Sequence, residues 1–263
     1  MRNFRKTTQP IFVLFLILVL ISIFLWQLSR ENNRDILYQV SMIGALMKGG
    51  YDTAADIKTL KSHGDFGIGT FDALDGEMVA LAGNFYQVRS DGSVHVVLDA
   101  AKTPFALVTF FDVDRKTVLD KPLDLENMKK FIDGLLPTKN IPYAIKIEGR
   151  FDHVKTRSVP RQEKPYRGLN EAVNEQSVFE LSNVEGVVVG FIIPGYMQGL
   201  HPCGYHLHFL SADRRFGGHL LEAKLARGVV SIDDTYQYHV TLPKNNQFSQ
   251  LDLSVTDAAA VEK

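Results

Sequence analysis

The sequence predicts a β-rich α+β protein with mixed and antiparallel sheets, arranged as two sheets or two lobes that meet near residue 160 and preceded by an N-terminal apolar helix. Three observations predict it. Short β-prone runs separated by Gly-, Asp- and Pro-bearing turns recur from Gly67 onward, helical spacing of apolar residues is confined to a few segments, and positions 11–28 hold 16 apolar residues out of 18. The expected divisions are residues 1–33 as a signal anchor or signal peptide, 34–160 as an α/β lobe and 161–263 as a β-rich lobe.

Taken in order, the run Ile11–Leu28 follows Arg2, Arg5 and Lys6. At about 1.5 Å per residue it would reach roughly 27 Å, close to the thickness of a bilayer's hydrocarbon core. Its exit, Trp26-Gln27-Leu28-Ser29, lacks the small-residue pattern of a cleavage site, so a retained anchor is expected before a cleaved signal. The basic flank places Met1 in the cytoplasm and the rest of the chain outside it. Leu37 to Lys48 shows apolar residues at helical spacing and stops at Gly49-Gly50, which predicts a first helix; Ala55–His63 adds a short second one. Met78–Ala82, Phe85–Arg89, Val94–Leu98 and Ala106–Phe111 read as an antiparallel meander. A helix follows over Leu125–Leu136, capped by Asp124 and stopped by Pro137. Strands are expected at Tyr143–Ile147 and Val154–Val159, then a short amphipathic segment at Leu169–Gln176. Val178–Leu181 and Val187–Ile193 follow as strands around a turn at Asn183–Gly186. The last strands are Tyr205–Ser211, His219–Leu225, Val229–Ile232 and Tyr236–Leu242.

Composition narrows the function. The 263 residues carry 29 basic and 30 acidic side chains; beyond residue 33 the balance is 25 to 29, or −4. A mildly acidic surface gives no reason to expect nucleic-acid binding. One cysteine, Cys203, excludes an internal disulfide and a thiolate zinc cluster, and reads as a small packed side chain. No internal repeat or phosphate-cradling glycine loop is present.

The chemistry concentrates in three histidines. On a strand, residues two apart share a face, so His206 and His208 point together while Tyr205, Leu207 and Phe209 occupy the other side. A turn centred on Asp213-Arg214 would set His208 opposite His219, since both are equidistant from that centre. Opposed residues have Cβ atoms about 4.5–5.5 Å apart, a separation that lets imidazoles share a zinc ion at about 2.0–2.1 Å. Three neutral nitrogens would leave positions open for substrate. The plainer reading is a set of half-exposed strand histidines. Upstream, Asp72 and Asp75 read as turn formers, whereas Glu77 enters the apolar run Met78–Ala82, where a carboxylate needs a metal, an arginine or solvent.

Taken together, Tyr38-Gln-Val-Ser41, His63-Gly-Asp-Phe-Gly-Ile-Gly-Thr-Phe-Asp-Ala-Leu-Asp-Gly-Glu-Met78, Lys155-Thr-Arg-Ser-Val-Pro160 and Gly204-Tyr-His-Leu-His-Phe-Leu-Ser with Gly-Gly-His219 resemble the acetolactate decarboxylase family. The resemblance runs from about Leu37 to the C-terminus. It implies a two-lobed α/β fold, commonly dimeric, and a zinc-dependent lyase that converts 2-acetolactate to acetoin and carbon dioxide. By position it makes His206, His208 and His219 the zinc ligands, Glu77 the active-site glutamate, Thr70 its nearby threonine and Arg157 the substrate-facing arginine. The tail glutamate of the family corresponds best to Glu262, with Asp257 as the other choice.

These residues suit the reaction. Decarboxylation of a β-keto acid pushes an electron pair onto the ketone oxygen, and a zinc ion is a Lewis acid where that charge develops. Arg157 would pair with the carboxylate through two donors, and Glu77 or Glu262 would deliver the proton. Two rivals remain. A cupin-type metal enzyme would place a glutamate four or five residues after the second histidine, where this chain has Ala212 and Asp213. A membrane-tethered, non-catalytic module that captures metal or a small acid would leave Glu77 and Arg157 without a task.

Overall fold

The computed structural model describes residues 12–22 and 35–254. They fall in two units, one ending at Arg34 and one beginning at Asp35. In the first, residues 12–22 are helical. The rest of the expected anchor lies outside the described residues, as do Asp257 and Glu262. No helix among the described residues is long and apolar enough to cross a membrane.

The second unit holds all the strands among the described residues. In chain order the first eight are β1 (Ile36–Val40), β2 (Ala55–Asp56), β3 (Phe66–Thr70), β4 (Glu77–Leu81), β5 (Asn84–Val88), β6 (Val94–Val96), β7 (Lys102–Thr103) and β8 (Ala106–Thr109). The remainder are β9 (Arg115–Leu119), β10 (Leu123–Asp124), β11 (Tyr143–Ser158), β12 (Ser177–Ile193), β13 (Gly204–Ser211), β14 (Gly217–Asp234) and β15 (Gln237–Thr241). A seven-stranded sheet has the order β15-β1-β8-β3-β4-β5-β6, antiparallel except for the parallel β1–β15 pair. The expected helix over 37–48 is therefore a strand followed by the short helix Ile43–Met47. β1 sits inside the sheet between β15 and β8, and Leu37 to Val40 are buried on both faces, so the apolar run carries no alternation to mark it as a strand. Ser41, at φ 65, ends it.

The second sheet centres on β11, flanked by β12 and β14. β13 pairs with β12 on one side and with the start of β14 on the other, so β11 to β14 form a hydrogen-bonded ring. Phe151, Val188, Phe209, Leu225 and Val230 fill one apolar cluster there, with the helix Leu125–Asp133 packing Met128 and Ile132 against it. Asp124 caps that helix, accepting from Asn127 N at 2.8 Å, an interaction worth about 0.5–2 kcal/mol. Several expected strands fuse: Tyr143–Ile147 with Val154–Val159, and His219–Leu225 with Val229–Ile232. The expected turn at Asn183–Gly186 is continuous β12, where Asn183 at φ 53 interrupts the pairing without reversing the chain. Long strands cross the whole ring, and their polar middles face solvent.

Among the described residues two large sheets are present, besides the small β2–β7 pair, but residue 160 is not where the chain passes between the large ones. β9, β10 and β11 precede it and join the second sheet, while β15 follows it and joins the first. One core cluster brings Leu37, Phe66, Val79 and Leu107 of the first sheet against Val187, Val189 and Phe191 of the second. A third cluster buries the opposite face of the first sheet under Ile57 and Leu60.

Candidate active site

The site forms where β4, β11, β13 and β14 converge. On β13, Leu207 and Phe209 enter the ring's apolar cluster, and this turns His206 and His208 to the other face. Ser211 sets the hairpin that follows. Its N–H donates to Phe216 O at 2.9 Å, and its hydroxyl accepts from Phe216 N at 3.0 Å and Arg215 N at 3.2 Å. The resulting register pairs Leu210 with Gly217, Phe209 with Gly218 and His208 with His219, as the equidistance about residues 213 and 214 predicts. His219 pairs on its other side with Arg157 of β11. Gly218 makes this junction possible: its φ is +129°, and a Cβ there would lie 2.5 Å from Arg157 O.

The three imidazoles converge, with ring centroids 5.2–5.3 Å apart and ligating nitrogens all within 4.8 Å of one another. All three are buried. His208 donates from Nδ1 to Met78 O at 2.8 Å, which leaves Nε2 as a bare acceptor. That atom is buried without a hydrogen-bond partner among the described residues and faces Glu77 Oε2 at 3.5 Å. Burial, with Arg157 nearby, pushes His208 down to about 3 and holds His206 and His219 well below the usual imidazole range. Neutral, converging nitrogens with an orphaned lone pair fit a divalent metal ion.

Glu77 opens β4 opposite Thr70 of β3. Thr70 donates its hydroxyl to Gly76 O at 2.7 Å, and Gln87 Nε2 donates to Asp75 O at 2.7 Å, so the turn that delivers Glu77 is fixed from two sides. Desolvation pushes the Glu77 carboxyl up to about 7, against the lowering effect of Arg157. Arg157 is 4% exposed, not a surface strand residue, and its Nη1 donates to Gln176 Oε1 at 3.0 Å. Glu77, Thr70, Arg157, His206 and His219 line one side of a pocket whose remaining wall includes Leu46, Leu74, Phe105 and Leu169. Five of the expected residues thus share one cavity, and His208 stands beside it. Cys203, expected to be packed, is exposed because the loop entering β13 turns it outward beyond buried Pro202.

Sequence reasoning missed three partners: Gln176, the Met78 carbonyl and His201, whose Nε2 lies 3.0 Å from His206 Nδ1. Only the burial of the histidines, which demands partners for both ring nitrogens, signalled that such groups must exist.

The family model described as alpha-acetolactate decarboxylase matches residues 37–255. The chain belongs to the alpha-acetolactate decarboxylase family. An alpha-acetolactate decarboxylase of Methanosarcina mazei is 47% identical over 233 residues, covering 89% of this chain and 81% of its own. One of Bacillus subtilis strain 168 is 40% identical over 244 residues, covering 88% and 96%. The crystal structure of the B. subtilis strain 168 alpha-acetolactate decarboxylase matches with a TM-score of 0.83 over 85% of this chain and 96% of that one, at 40% identity. The β-rich architecture and the ring of β11 to β14 are therefore those of an alpha-acetolactate decarboxylase.

Proposed function

We propose that this chain is a carboxy-lyase that converts 2-acetolactate to acetoin and carbon dioxide, with His206, His208 and His219 holding Zn²⁺. The observation that carries the reading is the convergence of three buried, neutral imidazoles beside a pocket lined by a buried arginine and a half-buried glutamate. When bound, zinc would supply a Lewis acid beside the ketone oxygen, where negative charge develops.

The chain's own groups account for the rest. Arg157 presents a guanidinium to the substrate carboxylate, with Gln176 fixing its direction through Nη1. As carbon dioxide leaves, its bonding pair becomes the enolate carbon–carbon π bond while the carbonyl π pair moves onto the ketone oxygen, and the carbon that carried the carboxylate must then take a proton as the carbonyl re-forms. Glu77 holds that proton on its carboxyl, at the pocket wall and within the field of Arg157. Glu262 is the alternative donor or a further ligand. Thr70 keeps the turn before Glu77 in place, and the apolar wall receives the methyl groups and limits water. The residues 11–28 segment is read as a retained anchor that places the enzyme outside the cytoplasm, and a homodimer as its assembly. Purified His208→Ala is expected to lose zinc and acetoin release together. Tight zinc binding by the wild-type chain without acetoin release would favour a non-catalytic binding module and overturn the reading.

A further inference from the structure

His201 has no role in the reaction described above, yet it is fully buried and its ring is held between two others. Phe105 stacks on one side, with centroids 5.5 Å apart and planes 19° from parallel, and His206 tilts on the other at 5.0 Å. The backbone just before it is tied to the first sheet: Leu200 O accepts from Gln39 Nε2 at 2.8 Å and from Ile43 N at 2.9 Å. His201 Nε2 lies 3.0 Å from His206 Nδ1, while His201 Nδ1 is buried with no hydrogen-bond partner among the described residues.

We propose that His201 is a positioning residue for the metal centre, accepting the Nδ1–H of His206 on its own Nε2 and so holding His206 in the tautomer whose Nε2 is bare for a divalent cation. This rests on the reading of His206, His208 and His219 as metal ligands.

The contrast with His208 carries the argument. The acceptor facing His208 is the Met78 carbonyl, which has no hydrogen to give, so His208 Nδ1 must be the protonated nitrogen and Nε2 the bare one. His206 faces an imidazole, which either accepts or donates. One arrangement puts the shared hydrogen on His206 Nδ1 and frees His206 Nε2 to ligate. The other puts it on His201 Nε2, moves the His206 hydrogen to Nε2 and blocks ligation. Either way His201 Nδ1 finds no hydrogen-bond partner among the described residues, so no second hydrogen bond there fixes the choice. A cation in the triad selects the first arrangement, and His201 supplies the acceptor it requires.

The test is zinc affinity of the full chain, measured by competition with a chromophoric chelator. Wild-type protein is compared with His201→Leu, which keeps an apolar body against Phe105 and removes the acceptor, and with His201→Gln, whose Oε1 accepts but whose ring is gone. The expected loss in His201→Leu is about 10–100-fold, with most of it restored in His201→Gln. In the zinc-loaded wild-type protein, labelled imidazoles should show a nitrogen–nitrogen coupling across the hydrogen bond, with the proton on His206 Nδ1. Equal affinity in wild type and His201→Leu overturns the proposal, and so does a Gln variant as weak as Leu, or a proton found on His201 Nε2. The coupling decides the matter even where a variant fails to fold. Absence of zinc binding by wild type removes the metal reading itself, before His201 enters.

Discussion

The Gly217-Gly218-His219 corner makes a quantitative demand on the backbone. Gly218 sits at φ +129°, and a built Cβ meets Arg157 O at 2.5 Å and Thr156 Cβ at 3.2 Å. Substituting Gly218→Ala therefore adds two effects. A side chain at positive φ costs about 1–2 kcal/mol, and forcing β14 away from a fixed backbone oxygen adds about 1–3 kcal/mol of overpacking. The expected loss of folding free energy is about 2–5 kcal/mol. Two other glycines separate the effects. Gly83 has φ +77° with nothing within 4 Å of a built Cβ, so Gly83→Ala should lose only the first contribution, about 1–2 kcal/mol. Gly195 has open space and no positive φ, and Gly195→Ala should stay within about 0.5 kcal/mol of wild type. The assay is urea denaturation followed by near-ultraviolet circular dichroism, which reads the buried tyrosine and phenylalanine rings of this unit. Gly218→Ala no less stable than Gly83→Ala would refute the claim that close approach to β11 fixes the corner.

Other substitutions address the site and the core. Glu77→Gln should retain zinc, by metal analysis, and lose about 10²–10⁴-fold in kcat, the range for a missing general acid; an unchanged kcat removes Glu77 from proton delivery. Arg157→Lys keeps the charge but not the fork held by Gln176, and kcat/KM should fall about 10–100-fold, the equivalent of one charged hydrogen bond. A fall of less than twofold would mean that the fork is idle. Asp233, buried and accepting from Asp112 N at 3.2 Å, is pushed up to about 8 by desolvation, with Asp114, Asp35 and Asp112 adding to it. The folded chain keeps this proton to about pH 8 while the unfolded chain releases it near pH 4. The Asp233 contribution to stability is thus fully present below about pH 4 and is lost as pH rises toward 8. Asp233→Asn should flatten that decline in urea midpoints between pH 5 and 8, and an undiminished slope would assign it to other groups.

What the sequence disclosed depended on the range of the interaction involved. The His208–His219 pairing was legible because a hairpin turn is local: its centre and the two-residue period determine which side chains face each other. The site's carboxylate was legible because Glu77 enters an apolar run and burial there needs a reason. Long-range partners were not legible. Gln176 reaches Arg157 from the residue just before β12, and Met78 O reaches His208 from another sheet, with no spacing rule to link either pair. Strand lengths failed for a related reason. The polar stretch at Asn183–Gly186 resembles a turn, yet a long strand crossing the ring shows solvent the same residue types. The helix expected over 37–48 failed because β1, paired on both sides, is buried across its width and loses the alternation that marks an exposed strand.

The most direct test of the account is acetoin release from racemic 2-acetolactate by the purified full chain before chelation, after removal of metal and after return of Zn²⁺. Release that is abolished by the chelator and restored by zinc is the predicted result. Full turnover in the metal-free protein, or none in the zinc-loaded protein, would contradict it.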